Sequence, residues 1–430
     1  MKYEKINPTL FIENRQRLAA KLKSGSMAVF NSNDIMPANA DGTMPFRQNN
    51  DLFYLSGVDQ EESVLVIFPE SKNPDHKEIL FLKETNSEIA IWEGAKLNKK
   101  EAFEVSGIKK VYWLHEFNTV FNTLMNECNK VYLNTNEHNR AVVEVETRDA
   151  RFIKWCKNHY PIHDYERIAP LMHDLRAIKS ATEIELLQRA CNITEKGFRR
   201  LLGFIKPGVM EFEIEAELAH EFLRNRSQGF AYTPIIASGF NACVLHYIEN
   251  NGECKSGEVI LLDVGAEYAN YNSDLTRCVP VSGKFTPRQK DVYNAVLRVM
   301  KAAIKMLVVG NVLDDYHREV GLIMEKELIG LGLLDAKEVA NQDPEKPLYK
   351  KYFMHGTSHF LGLDVHDVGN RYRPFEAGMV FTCEPGIYIR EENLGIRLEN
   401  DILITEKGPI DLMANIPIEA DEIERLMSSK

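Results

Sequence analysis

Val259-Ile260-Leu261-Leu262-Asp263-Val264-Gly265 is an apolar run interrupted by one carboxylate. Apolar on both faces, it reads as a buried strand, and an ionised, unpaired Asp263 inside it would cost several kcal/mol. Eleven residues on, Asp274 enters a second strand-like run, Leu275-Thr276-Arg277-Cys278-Val279, so a hairpin would bring the two aspartates side by side. Glu384 repeats the theme within a strand expected from Met379 to Ile389, and Glu399 within one from Ile396 to Thr405. Alternation in the last run places Arg397, Glu399 and Asp401 on one face and Ile396, Leu398 and Ile402 on the other, a pattern that an exposed edge strand also explains. Asp263 admits no such explanation, because its neighbours leave no polar face.

Histidines gather in the same half. His355, His359 and His366 fall in one stretch, HGTSHFLGLDVHD, and His246 stands in LHYIEN. Gly356 and the β-branched Thr357 argue against a helix that would align His355 with His359. Surrounded by Gly, Ser and Asp, the cluster has a functional rather than a core composition. Four carboxylates converging on one pocket carry charge −4, which requires protons or cations. Two divalent ions supply +4, and an oxygen-rich donor set with a single imidazole suits Mn²⁺ best, with Zn²⁺, Co²⁺ and Fe²⁺ also compatible. A water bridging two such ions roughly 3.5 Å apart is acidified to hydroxide at neutral pH, which is hydrolase chemistry.

The surrounding sequence is organised in two parts, as a chain of 430 residues suggests. Up to residue 175, strands at Met27 to Phe30, Val64 to Phe68, Ile79 to Leu82 and Val131 to Leu133 alternate with helical patterns, one marked by Phe117, Val120, Phe121 and Leu124. This is the signature of an α/β layered domain, assigned to residues 1–175. Ser180, three before Glu183, is a capping box that opens a long helix of a second domain, residues 176–430. Further helices are expected from Glu211 to Arg226, Thr286-Pro287 to Gly310 and Leu313 to Leu328. A net charge of −11 disfavours nucleic acid and anionic membrane as partners. No window approaches the roughly 18 apolar residues of a membrane span. Seven dispersed cysteines without a C-x-x-C pair, and no signal-like leader, place the protein in a reducing compartment, the cytoplasm.

With these residues in place, the chain closely resembles the aminopeptidase P (Xaa-Pro aminopeptidase) family of "pita-bread" metallopeptidases. The resemblance runs through LHYIEN, LLDVGAEY, NSDLTR, HGTSHFLGLDVHD, CEPGIYI and GIRLENDILIT, and in the first half through PFRQNNDLFYLSG and IWEG. It implies an α+β architecture, a pita-bread catalytic domain of antiparallel sheets flanked by helices, preceded by a smaller creatinase-like α/β domain that serves oligomerisation and the active-site rim. It makes Asp263, Asp274, His359, Glu384 and Glu399 the ligands of two divalent ions, most readily manganese, with Asp274 and Glu399 bridging. Glu384 also shuttles a proton from the attacking hydroxide to the leaving proline nitrogen. His246, His355 and His366 match residues that hold substrate carbonyls and the developing oxyanion, and Arg397 the arginine that braces the cluster. Tyr232 and Val365 match the proline-pocket wall; Tyr388 and Asp41 are assigned to substrate binding. Trp92 is assigned to a neighbouring subunit's site in a homodimer or homotetramer. The implied substrates are peptides with proline in second position.

Two departures fall at the rim. The loop after His366, DVGNRYRPFEAGM, is short and carries Arg371 where a pocket tyrosine is expected, unless Tyr372 takes its place, and the segment between Glu384 and Glu399 is short as well. Both bear on specificity and leave the metal chemistry untouched. The alternatives are a prolidase, which cleaves only Xaa-Pro dipeptides and needs a group for the free proline carboxylate, and a metal-free pita-bread protein acting as a binding module or creatinase-like hydrolase. HGTSH and PFRQNNDLFYLSG favour aminopeptidase P, and retention of all five ligand positions disfavours the metal-free form.

Overall fold

The computed structural model describes residues 2–138, 140–141 and 143–428. The chain divides into two compact units, Tyr3–Arg176 and Ala177–Lys430. Among the described residues no helix is long and apolar enough to cross a membrane.

The first unit is built on six strands, β1 (Ser26–Asn31), β2 (Val64–Ile67), β3 (Glu78–Leu82), β4 (Lys110–Trp113), β5 (Lys130–Leu133) and β6 (Asp164–Arg167). They form one mixed sheet in the order β4-β3-β2-β1-β5-β6, parallel for β1–β5, β5–β6 and β3–β4. Helix Phe117–Met125 buries Phe121, Leu124 and Met125, the face set by their three- and four-residue spacing, against Met27, Val29, Val66 and Phe81 of the sheet. PFRQNNDLFYLSG proves to be a local folding unit. Asn49 caps helix Asn50–Ser56 by accepting from the N–H groups of Asp51 and Leu52, and Gly57 closes it at φ 65°. A Cβ on Gly57 would lie 2.2 Å from the Phe11 ring, so the position is restricted by space as well as by conformation.

The second unit opens with helix Ala181–Phe204, where Ser180 and Glu183 form the expected reciprocal cap. Helices Glu211–Arg224, Pro287–Ile304 and Leu313–Gly330 follow. The third of the four ends before Gly310 because Asn311 donates from its side chain to the Met306 carbonyl at 2.7 Å and Gly310 turns the chain at φ 95°. Strands β7 (Ile235–Ser238), β8 (Val259–Val264) and, after the small ladder of β9 (Glu267–Tyr268) and β10 (Tyr271–Asn272), β11 (Leu275–Pro280) make an antiparallel sheet β11-β8-β7.

The two long strands expected near the C-terminus are each broken in two. Met379 to Ile389 is β12 (Val380–Cys383) and β13 (Gly386–Ile389); Ile396 to Thr405 is split between β14 (Leu394–Arg397) and β15 (Asn400–Thr405). β12 pairs with β15, which is flanked by β16 (Gly408–Asp411), whereas β13 pairs with β14 in a separate ladder. The breaks fall at Glu384-Pro385 and Leu398-Glu399. Pro385 has no N–H to continue a ladder, and the Glu384 and Glu399 amides are taken by the carbonyls of Thr357 and Thr276. The edge-strand explanation of the last segment is overturned as well: Arg397, Glu399 and Asp401 are 5%, 2% and 0% exposed.

Within the first unit, Asp149 is buried and accepts from Asn31 and Asn136 at 2.8 and 3.0 Å. Burial, reinforced by nearby Asp51, pushes its carboxyl up to about 7. A carboxyl raised on folding contributes stability that is complete below its unfolded value of about 4 and is lost as pH rises through about 7. Asp149→Asn should flatten that decline, which is at most about 1.4 kcal/mol per pH unit for one proton. Thermal melts from pH 4 to 8 check this; equal slopes in variant and parent would show that Asp149 does not titrate there.

Candidate metal centre

Asp263 sits near the end of β8 and Asp274 directly before β11. Their strands pair antiparallel with Asp263 opposite Thr276, so both carboxylates reach the same end of the sheet. Gly265 makes this tight return possible, since a Cβ there would stand 1.9 Å from the Ser273 carbonyl oxygen. The Tyr232 hydroxyl lies 2.5 Å from an oxygen of each aspartate. One hydroxyl has one proton and can satisfy only one of them.

His359 Nε2 is 3.5 Å from Asp274 Oδ2 and 3.5 Å from Glu384 Oε1, which joins the irregular histidine segment to the β12–β13 break. Glu399 arrives from the β14–β15 break. One ligand atom each of Asp274, His359 and Glu399 lies within 4.8 Å of the others. The five residues singled out as ligands are therefore brought together: Asp263 through Tyr232, Glu384 through His359, and the remaining three directly.

Arg397, at the end of β14, donates to Asp263 at 2.5 Å, to Tyr388 at 2.7 Å and, through Nε, to the Thr276 hydroxyl at 3.1 Å. Asp263 is thus an ion-paired carboxylate, not an isolated one. Tyr388, 2% exposed, also meets His355 Nε2 at 2.8 Å, so its hydroxyl links His355 to Arg397. His355 Nδ1 meets the Gly356 carbonyl at 2.8 Å. Both ring nitrogens of His355 are therefore engaged, and a substrate oxygen must displace one partner to receive a hydrogen bond from it. The His366 ring lies against that of His359, tilted by 36° with centroids 3.8 Å apart. Val365 beside it is half-buried, and His246 is exposed. Asp41 and Trp92 belong to the first unit, where both are exposed, Trp92 by 90%. Tyr372 is 73% exposed beside Arg371, which is ion-paired to Asp314.

The electrostatics follow from burial of like charges. Burial, with Asp274, Glu384 and Asp263 nearby, raises Glu399 well above the carboxylate range. Burial also raises Asp263, partly offset by Arg397, and pushes Glu384 up to about 7. Burial alone would lower His359, but the Asp274 and Glu384 carboxylates outweigh it and raise its proton affinity. His355 has no such compensation and falls to about 4 through burial and the neighbouring Arg397, so it is neutral at pH 7. The cluster holds more negative charge than Arg397 can balance. A hydroxyl facing two carboxylates, a donor set of hard oxygens with one imidazole, and a fully buried Asp401 Oδ1 without a hydrogen-bond partner all fit a site for divalent cations.

Three supporting residues escaped the sequence reading of the site. Thr276 donates its hydroxyl to Glu399 Oε2 at 2.6 Å while accepting from Arg397. Thr382 meets the His359 amide at 3.2 Å and Glu384 Oε1 at 3.4 Å. Asp401 accepts from the Asp274 amide at 3.1 Å and the Cys191 thiol at 3.4 Å. A signal was present, because each stands two residues along a strand-like run from an acidic ligand candidate, hence on its face.

Such a buried carboxylate–imidazole cluster at the junction of antiparallel sheets defines a metal-dependent hydrolase. Residues 185–406 match the metallopeptidase family M24, and residues 11–132 the aminopeptidase P amino-terminal domain. The chain is 35% identical to the Xaa-Pro aminopeptidase of Escherichia coli (strain K12) over 97% of each chain. It superposes on Pseudomonas aeruginosa aminopeptidase PepP with a TM-score of 0.90 at 30% identity, and on an E. coli aminopeptidase P variant in complex with substrate with 0.87 at 34%, covering 99% of both chains in each case. The chain belongs to metallopeptidase family M24.

The Thr276 hydroxyl touches both Glu399 and Arg397. Thr276→Val should weaken divalent-metal binding about 10- to 100-fold, as loss of a ligand's supporting hydrogen bond does elsewhere. Thr276→Ser should recover most of it. Calorimetric titration with Mn²⁺ checks this, and parent-like affinity of the Val variant would remove Thr276 from the metal site.

Proposed function

We infer that the protein is a metal-dependent aminopeptidase that releases the first residue from peptides with proline in second position. The observation that carries this is the convergence of Asp263, Asp274, His359, Glu384 and Glu399 on one buried cluster, in a chain 35% identical over almost its whole length to an Xaa-Pro aminopeptidase.

The five residues would hold two divalent cations, for which the oxygen-rich donors favour Mn²⁺, with Zn²⁺, Co²⁺ and Fe²⁺ also accommodated. Ions bound there supply Lewis-acid charge that acidifies a water and offsets the charge of a tetrahedral intermediate. Glu384, placed beside His359 in the cluster, takes the proton of the attacking water and delivers it to the departing proline nitrogen. That delivery matters because the tertiary amide nitrogen is a poor leaving group unprotonated. His246 and His366 donate ring N–H groups to substrate carbonyl oxygens, and neutral His355 joins them when it exchanges a partner. Arg397 holds Asp263 and, through Tyr388, the orientation of His355. Tyr232 and Val365 offer a wall for the proline ring, whose fixed φ and missing N–H make it a poor fit for peptidases that grip that amide.

A prolidase needs a cation for the free proline carboxylate. Arg397 is committed to Asp263, Thr276 and Tyr388, Arg371 to Asp314, and Arg373 to Glu376. This favours longer peptides. Xaa-Pro-Yaa should be cleaved in preference to Xaa-Pro, with activity lost on chelation and restored by Mn²⁺. Glu384→Gln should lower turnover by about 10² to 10⁴. Cleavage of the dipeptide alone would make the enzyme a prolidase, and full recovery of Glu384→Gln at high Mn²⁺ would reduce Glu384 to a ligand.

The seven cysteines are free and buried, which suits the cytoplasm. Trp92, with Ile91 77% exposed beside it on helix Ser87–Glu93, is proposed to reach a neighbouring subunit's substrate site in a homodimer or homotetramer, and exposed Asp41 is proposed to bind substrate. A fully active monomer at micromolar concentration would refute that role.

A further inference from the structure

The segment between the end of β7 at Ser238 and Gly252 has one short 3-10 turn, Gly239–Cys243, and no strand, yet it carries His246. Its start, middle and end all donate to one carboxylate. Glu211 Oε1 accepts from the Ser238 amide at 2.8 Å and the Asn241 side chain at 3.2 Å. Glu211 Oε2 accepts from the Tyr247 hydroxyl at 2.7 Å and the Gly252 amide at 2.7 Å. We propose that Glu211 is a positioning residue for His246, which it acts on by fixing the path of this segment; the inference rests on the function assigned above to His246.

Glu211 is fully buried, and none of these four partners is charged. A buried carboxylate without a cation is costly unless neutral donors saturate it, and here they do. An apolar residue would fill the space, but only a carboxylate accepts four donors at once and so sets the distances between four points of the segment. Gly252 is fitted to this contact, since a Cβ there would lie 3.0 Å from Glu211 Oε2. The next turn of the same helix adds a second anchor: Glu215 accepts from the side chain of Asn250, which also donates to the Pro234 carbonyl. Tyr247 is the link to the chemistry. It is buried with its hydroxyl held, while His246, the preceding residue, emerges exposed, so the anchored ring dictates where the imidazole projects. Burial raises the Tyr247 hydroxyl to about 12, so it keeps its proton and donates.

A purely structural Glu211 and one that acts through His246 differ in a double-mutant cycle. Glu211→Gln, His246→Ala and the double variant are compared for kcat and KM on an Xaa-Pro-Yaa tripeptide, with bound metal and Tm measured on each. Glu211→Gln should lose about tenfold in kcat/KM at unchanged metal content, and the double variant should be no worse than His246→Ala alone. Losses that simply multiply would overturn the inference. If Glu211→Gln does not fold, Tyr247→Phe, which removes one of the four donors, enters the same cycle and the same two outcomes decide. Parent-like activity of His246→Ala would overturn the inference while leaving Xaa-Pro cleavage standing; failure of the unaltered enzyme to cleave any Xaa-Pro-Yaa peptide would overturn the assigned function as well.

Discussion

Four carboxylates share one buried space in which the Arg397 guanidinium donates to Asp263. Burial, with neighbouring acids, raises the proton affinities of Asp263, Glu384 and Glu399, so ionising all of them together calls for added positive charge. The surrounding architecture is arranged to hold that imbalance in place. Arg397 is sandwiched among Asp263, Thr276 and Tyr388; Thr276 ties it to Glu399; Tyr232 spans Asp263 and Asp274. These neutral and cationic donors fix the directions of the carboxylates without neutralising them, which leaves the charge for divalent cations.

The device that delivers the acids is interruption of strands. Glu384 and Glu399 both stand where a run of β-forming residues passes from one ladder to another, and at each break the backbone amide is captured by a threonine carbonyl, Thr357 or Thr276. A continuous strand would have committed those amides to a ladder and spread alternate side chains over two faces. The break turns the carboxylates toward the segment carrying His355, His359 and His366, which has no helix or strand of its own and takes its shape from contacts such as Thr382 to the His359 amide. The geometry of the candidate site is thus carried by irregular backbone that regular elements pin from behind, as Glu211 pins the segment of His246.

Much of the local structure was legible in the residues. Ser180 with Glu183, Thr286 with Pro287, and the spacing of Phe117, Phe121 and Leu124 announce helices that begin where expected, because caps and apolar periodicity act over one or two turns. PFRQNNDLFYLSG supported the family resemblance, yet its own residues chiefly build a capped helix through Asn49 and Gly57. The two C-terminal strands were misjudged as continuous, since β propensity is read along the chain while the partner that ends a ladder lies elsewhere in it.

By itself the sequence determined which groups could do chemistry: an aspartate in an apolar run, acids in strand-like settings and histidines among small polar residues mark themselves by the cost or oddity of their surroundings. It also determined the helices and the sign of the charge to be balanced. Only the tertiary structure decided that Arg397, Glu399 and Asp401 are buried rather than at an exposed edge, that Tyr388 joins His355 to Arg397, and that Thr276 stands between a carboxylate and a guanidinium. Those facts depend on contacts between different segments, from His355 with Tyr388 to Thr276 with Glu399 across more than a hundred positions, and no periodicity within a single segment encodes them.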